Sequence, residues 1–281
     1  MPEKLTTYEQ LEARLAAWAE AHPTIRAVLS IGSRARGTPD GWSDLDVLIF
    51  ASNPEPYAVD SSWLDEFGDL WLAYREDTPA GDPEWYALYD GGLKLDAVLM
   101  RVEDASLDLD EILKPFGHWH AIKRGVDVLF DRRGTRRKIV PKPVASEDAP
   151  SAGEFTNVVN GALLASATVA KFIARGDYWR AQHWFANDLR PHLLTLLRWQ
   201  ALGQDTWYGG RFMEEWADPR VLAALPQVFP GFERESMEKA LLAILKLFQL
   251  LGTETAAKFG YEYPTLVQKK VEALVSSIFE E

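Results

Sequence analysis

Two aspartates, Asp44 and Asp46, stand two residues apart in the stretch IGSRARGTPDGWSDLDVLIF, residues 31–50. On a strand, side chains at i and i+2 point to one face, so Leu45, Val47 and Ile49 turn the other way into a core and leave the two carboxylates side by side. Adjacent carboxylates repel, and a hard cation between them relieves the repulsion, so the pair reads as a divalent-metal site. Upstream, Gly32 permits a tight turn, Ser33 offers a hydroxyl and an N–H to an anion, and Arg34 and Arg36 add positive charge. Together these residues read as a phosphate cradle facing a metal site. The plainer alternative is a polar hairpin whose aspartates solvate an edge strand.

A third acid stands on a later strand. In WYALYDGGLKLDAVLM, residues 85–100, two β-prone runs flank Asp90-Gly91-Gly92, a hairpin turn signal. On the second run Lys94, Asp96 and Val98 share the face opposite Leu95, Ala97 and Leu99. Asp96 is a lone acid in an apolar strand, either exposed on a sheet edge or a further carboxylate of the site. His118 and His120 form an HxH pair with no third ligand evident nearby, and read as surface or packed histidines. Arg132, Arg133, Arg136, Arg137 and Lys138 make a basic run that reads as a solvated connection.

These residues need elements to hold them. Residues 7–21 read as an amphipathic helix, capped by Thr7 with Gln10 and ended by Pro23. Strands are predicted at residues 26–31, 45–50 and 70–74, a short helix at 61–67, and a last strand at 125–131 after a helical stretch, 103–124. The segment PKPVASEDAPS, residues 141–151, is Pro-rich and polar and reads as a linker. Beyond it strand signals fade, and helical periodicity dominates at residues 154–175, 179–202, 210–217, 219–225, 233–259 and 266–279. The expected organisation is α+β: a catalytic domain over residues 1–140, with a mixed sheet and helices, a linker over 141–151, and an all-α helical domain over 152–281.

Composition narrows the function. The chain has 281 residues, of which 47% are hydrophobic, enough for a sizeable core. It has no cysteine, hence no disulfide and no thiolate metal site. The N-terminus has no apolar leader and no run of about 18 apolar residues is found, so a soluble, cytoplasmic protein is expected. The formal net charge is −12; residues 151–281 hold 15 acidic and 13 basic residues, so most of the excess lies in residues 1–150. Such a balance argues against a generic nucleic-acid binder and suits a cationic small molecule.

The combination of Gly32-Ser33, a spacer and Asp44-x-Asp46 between two apolar strands resembles the signature of the nucleotidyltransferase superfamily that includes DNA polymerase β. Within it the chain is most similar to the antibiotic nucleotidyltransferases, especially the aminoglycoside 6-adenylyltransferases. The likeness extends to TVAKFIARGDYWRAQHWFANDLRPHLLTLLRWQALG and to KFGYEYPTLVQKKV. One departure is Asn160-Gly161-Ala162-Leu163-Leu164, where members tend to carry acidic and aromatic residues. The resemblance implies a polymerase β-like catalytic domain, a substrate-binding helical domain, and Mg²⁺-dependent transfer of AMP from ATP to a hydroxyl of a small acceptor, such as an aminoglycoside. It implies that Asp44, Asp46 and Asp96 hold the metal, with Asp96, or an acid of the helical half such as Glu154 or Asp188, as the base. Gly32, Ser33, Arg34 and Arg36 would then bind the nucleotide's phosphates. Asp177, Asp188, Glu214 and Glu215 could meet a cationic acceptor, and Trp179, Trp184, Trp207 and Tyr208 could stack on one. The same chemistry on a lincosamide, another metabolite or a protein side chain stays open, as does a non-catalytic nucleotide-binding protein.

Overall fold

The computed structural model describes residues 7–103, 109–113, 120–134, 138–139, 148–204, 206 and 209–280. The chain divides into two compact units, Met1–Val144 and Ala145–Glu281. The first contains helix α1 (Tyr8–Ala21), strand β1 (Ile25–Ile31), the short helix α2 (Gly32–Arg36), β2 (Leu45–Ala51), the short helix α3 (Glu55–Val59), a 3-10 turn at Ser62–Phe67, β3 (Leu70–Asp77), β4 (Pro83–Tyr89), β5 (Leu93–Arg101), α4 (Leu109–Leu113), α5 (His120–Lys123), β6 (Val126–Asp131) and β7 (Lys138–Ile139). The second contains α6 (Ala152–Ala174), α7 (Tyr178–Trp184), α8 (Arg190–Gln200), α9 (Met213–Trp216), α10 (Pro219–Ala224), α11 (Arg234–Phe259) and α12 (Thr265–Glu280). The mixed sheet followed by a helical region is the expected α+β class.

Among the described residues the sheet has seven strands in the order β3-β4-β5-β2-β1-β6-β7. The pair β2–β5 is parallel and its other neighbours are antiparallel. Strand alternation sorts side chains into two cores, one on each face. Leu45, Val47, Ile49, Leu95, Ala97 and Leu99 pack with Leu11, Leu15 and Trp18 of α1 and with Trp63 and Phe67 of the 3-10 turn. Leu29, Leu48, Phe50, Val98 and Met100 pack with Leu109, Ile112 and Ile122 of α4 and α5 on the other face. Helix α1 is fixed at its start by a capping box: Gln10 N–H donates to Thr7 Oγ1, and Thr7 N–H donates to Gln10 Oε1, each at 3.3 Å.

Several local outcomes differ from the sequence reading. The Gly-Ser segment is not an open turn; after Gly32 (φ +75°) it winds into α2, which stops at Gly37 (φ +73°). Strand β6 is followed by the short β7, so it does not close the sheet. The expected helix over 179–202 is interrupted by a π-turn, Phe185–Leu189. Pro191 follows that turn and has no N–H to return to the carbonyl four residues back, and a widened turn relieves the mismatch. The linker residues 141–147 lie outside the described residues. Helices α6 and α11 are long and apolar enough to cross a membrane by length and composition, although no such run was expected. Half or more of each apolar window is buried in the core that these two helices share with α8 and α12.

Candidate active site

Strand β2 begins at Leu45, so Asp44 stands just before it and Asp46 is its second residue. In the parallel pairing, Asp46 lies opposite Asp96 of β5. On the same face Leu48 and Val98 follow, then Phe50 and Met100, all buried in one core. The two aspartates therefore sit where that apolar face ends. Strand pairing places three of the expected site residues together: Asp44, Asp46 and Asp96.

Gly32 approaches this group from the end of β1. A Cβ on Gly32 would fall on Asp46 Oδ2, and its φ lies in the left-handed region. Glycine is thus required twice, for the backbone angle and for the space the carboxylate fills. Ser33, buried at the start of α2, follows it. Arg34 lies with its guanidinium 3.7 Å from the Tyr8 ring centroid and donates to Ser43 O at 3.4 Å. Arg36 is on the same short helix, half-buried. Tyr8 Oη in turn accepts the backbone N–H of Lys94 at 3.2 Å, so one aromatic residue connects the arginine to the acidic strand.

The sequence reading gave Lys94 no role. Its ammonium donates to Asp96 Oδ2 at 2.8 Å and to Asp44 Oδ2 at 3.1 Å. The available signal was its position two residues before Asp96, on the same strand face. Glu84 and Tyr86 of β4 were also missed: Tyr86 pairs with Asp96 across the sheet, the charge of Glu84 acts on Asp46, and that of Asp96 acts on Glu84.

Electrostatics follow from this crowding. Burial, and then the charges of Asp96 and Asp44, push the Asp46 carboxyl up to about 6 against the opposing pull of Lys94. Burial likewise raises Asp96, only partly offset by its bond to Lys94. Burial alone would lower the Lys94 ammonium, but its bonds to the two aspartates outweigh that and hold it above its ordinary value. Burial also raises Glu84.

Among the described residues no three His, Cys, Asp or Glu side chains form a ready-made metal cage. Mg²⁺ rarely uses one; it is held by one or two carboxylates with waters and substrate phosphates. The donor set fits that habit. Asp46 and Asp96 supply hard oxygens, and Asp96 Oδ1 is buried with no hydrogen-bond partner among the described residues, an acceptor awaiting a positive group.

In the helical unit, Glu154 closes the capping box of α6, with Ser151 N and Oγ each donating to its Oε2 at 2.7 Å, so its carboxylate serves the helix. Asp188 lies in the π-turn and acts on His192 of α8. The His192 ring fills the space beside Gly161, where a Cβ would come within 2.7 Å of Nε2, which gives the small residue in that departing segment a packing reason. Glu214 and Glu215 line a cleft of about 530 Å³ with Asp218, Arg220 and Glu254. Asp177 is half-exposed at the start of α7 and lies 3.9 Å from Arg180. Trp179 is exposed, and Trp184 packs edge-on against Phe172. His118, Arg136, Arg137, Trp207 and Tyr208, and the side chains of His120 and Lys138, lie outside the described residues.

Residues 5–278 match the family described as streptomycin adenylyltransferase. The chain is 24% identical over 274 residues to the aminoglycoside 6-adenylyltransferase of Bacillus subtilis (strain 168), covering 90% of this chain and 93% of that protein. It is 22% identical over 303 residues to the aminoglycoside 6-adenylyltransferase of Staphylococcus aureus, covering 98% and 100%. A solved structure of an aminoglycoside 6-adenyltransferase from Bacillus subtilis covers 98% of this chain and 99% of its own, with 18% identity and a TM-score of 0.47.

Proposed function

Because the chain belongs to the streptomycin adenylyltransferase family and is thereby a nucleotidyltransferase, we propose that it transfers AMP from ATP to a hydroxyl of an aminoglycoside with the help of Mg²⁺. The observation that carries the chemistry is the opposed pair Asp46 and Asp96, with Asp44 joined to it through Lys94. The acceptor class is taken from relatives named aminoglycoside 6-adenylyltransferases. The acidic balance of residues 1–150 accords with a polycationic acceptor.

In the transfer, the acceptor oxygen bonds to the α-phosphorus of ATP, the bond from that phosphorus to the oxygen bridging to the β-phosphate breaks, and pyrophosphate leaves. The hydroxyl proton goes to Asp96. In the metal-free protein burial raises its affinity for a proton above that of an ordinary carboxylate. Asp44, Asp46 and Asp96 are the residues that would hold Mg²⁺. Once bound, the ion supplies charge neutralisation for the triphosphate and the leaving pyrophosphate. Ser33, beside Gly32, holds a phosphate, with Arg34 and Arg36 supplying positive charge from α2.

The test is incubation of the purified chain with labelled ATP, Mg²⁺ and a panel of aminoglycosides and lincosamides, read by mass spectrometry. The expected result is one AMP added to an aminoglycoside, and no addition with Asp44→Asn. Addition to a lincosamide alone, or to no compound while ATP still binds, would refute the acceptor class.

A further inference from the structure

Lys94 sits among the acids read above as cation ligands, and nothing in the proposed transfer employs it. Its ammonium touches Oδ2 of Asp96 at 2.8 Å and Oδ2 of Asp44 at 3.1 Å. Those are ordinary contact distances for an ammonium, whereas Mg²⁺ draws its oxygens to about 2.0–2.1 Å. One oxygen edge cannot serve both at close range. The root of the side chain is anchored, because the Lys94 backbone N–H is tied to Tyr8 Oη and the residue is paired within β5. The rest is a flexible four-carbon stem with its side chain 37% exposed. A second seat lies beside it, since the ammonium is 5.3 Å from the centroid of the Tyr86 ring on the neighbouring strand.

We propose that Lys94 is an internal counter-ion: it holds Asp44 and Asp96 together in the cation-free enzyme, and a divalent cation must displace it to bind. This rests on the reading of Asp44, Asp46 and Asp96 as cation-binding acids. Three carboxylates and one ammonium leave two excess negative charges, matching one divalent ion. Removing the ammonium leaves three, so the empty site attracts a cation more strongly. Lys94 thereby lowers affinity for free metal, and the site is spared from filling before the nucleotide supplies further ligands. Lys94 acts through the acids and is a positioning residue.

The experiment is titration of the full, nucleotide-free chain with Mn²⁺ at low salt, following the free-ion signal by electron paramagnetic resonance. Lys94→Met should bind Mn²⁺ about tenfold more tightly than the parent, the scale expected for deleting one adjacent positive charge. Lys94→Arg keeps the charge and should bind as the parent does, and Lys94→Gln replaces Met if the apolar side chain disturbs folding. Unchanged or weaker binding in the neutral variants, with clear binding by the parent, overturns the counter-ion role alone. Absence of Mn²⁺ binding in parent and neutral variants alike overturns the cation reading of the acids and the counter-ion role with it.

Discussion

Asp46 and Asp96 stand directly opposite one another across β2 and β5, the parallel pair of the described sheet. They lie on different strands separated by the β3–β4 excursion, and only this register unites them. Two residues further along each strand, Leu48 and Val98 are buried in the same core. The acids therefore mark the line at which an apolar sheet face becomes a polar one. Their partial burial raises both carboxyls, and the only cation bonded to the group among the described residues is Lys94.

From that relationship, Asp44→Asn and Asp46→Asn are expected to abolish adenylyl transfer without unfolding the chain. Asp96→Asn removes a proton acceptor as well as a ligand, and should lower kcat by about 10²–10⁴, the usual scale for a general base. Single-turnover assays with each variant check this, with circular dichroism as the folding control. A near-parental rate in Asp96→Asn would move the base elsewhere.

The Asp46 carboxyl also gives the metal-free protein a distinctive pH dependence. Its folded value is about 6 against an ordinary 3.8, so the folded state binds this proton more tightly than the unfolded state does. Protonation therefore favours folding. The contribution is present below the unfolded value and fades as pH rises through about 6, and it is at most about 3 kcal/mol. Asp96 and Glu84 are raised and act in the same sense, whereas Glu9, which is lowered, acts oppositely. Comparison with Asp46→Asn isolates the Asp46 part. In chelator, the parent should gain Tm relative to Asp46→Asn between about pH 7 and about pH 5, and Asp46→Asn should be the more stable of the two near neutrality. Parallel curves for the two proteins would contradict the raised value.

Much of this was legible in the sequence, and the exceptions have physical causes. Alternation of apolar and acidic residues in DLDVLIF and LKLDAVLM set the strand faces, and Asp90-Gly91-Gly92 marked the hairpin between β4 and β5. Thr7 and Gln10 announced the first cap. Hidden features depended on contacts between distant segments. The Lys94 bridge requires the β2–β5 register, and the Tyr8 link from Arg34 to Lys94 requires α1 to lie against that end of the sheet. The π-turn needed the effect of Pro191 on a helix whose periodicity otherwise reads as continuous.

Gly32 separates backbone need from spatial need. Gly32→Ala places an L side chain at φ +75° and a methyl on Asp46 Oδ2. Gly37 has nearly the same angle, φ +73°, but open space beside it. Both substitutions should cost roughly 1–2 kcal/mol of backbone strain. Gly32→Ala alone should also displace Asp46 and depress transfer severely, while Gly37→Ala keeps its activity. Thermal melts and initial rates on the two variants decide it, and equal activity loss in both would show that strain alone is responsible.

The sheet that carries the site also holds a buried charge pair. Arg26 of β1 and Asp131 of β6 form an ion pair that is almost wholly buried, 105 residues apart in sequence. Asp131 also accepts the backbone N–H of Arg133 at 3.1 Å, so its carboxylate ends β6 as well as balancing Arg26. Asp131→Ala removes the buried carboxylate that faces the Arg26 guanidinium and should cost about 3–5 kcal/mol. Replacing both partners, with Arg26→Met and Asp131→Leu, removes the desolvation cost along with the attraction, and should recover most of that loss. Urea midpoints for the single and double variants measure the difference. If Asp131→Ala unfolds at the parent's urea midpoint, the pair contributes nothing to stability and the β1–β6 pairing holds without it.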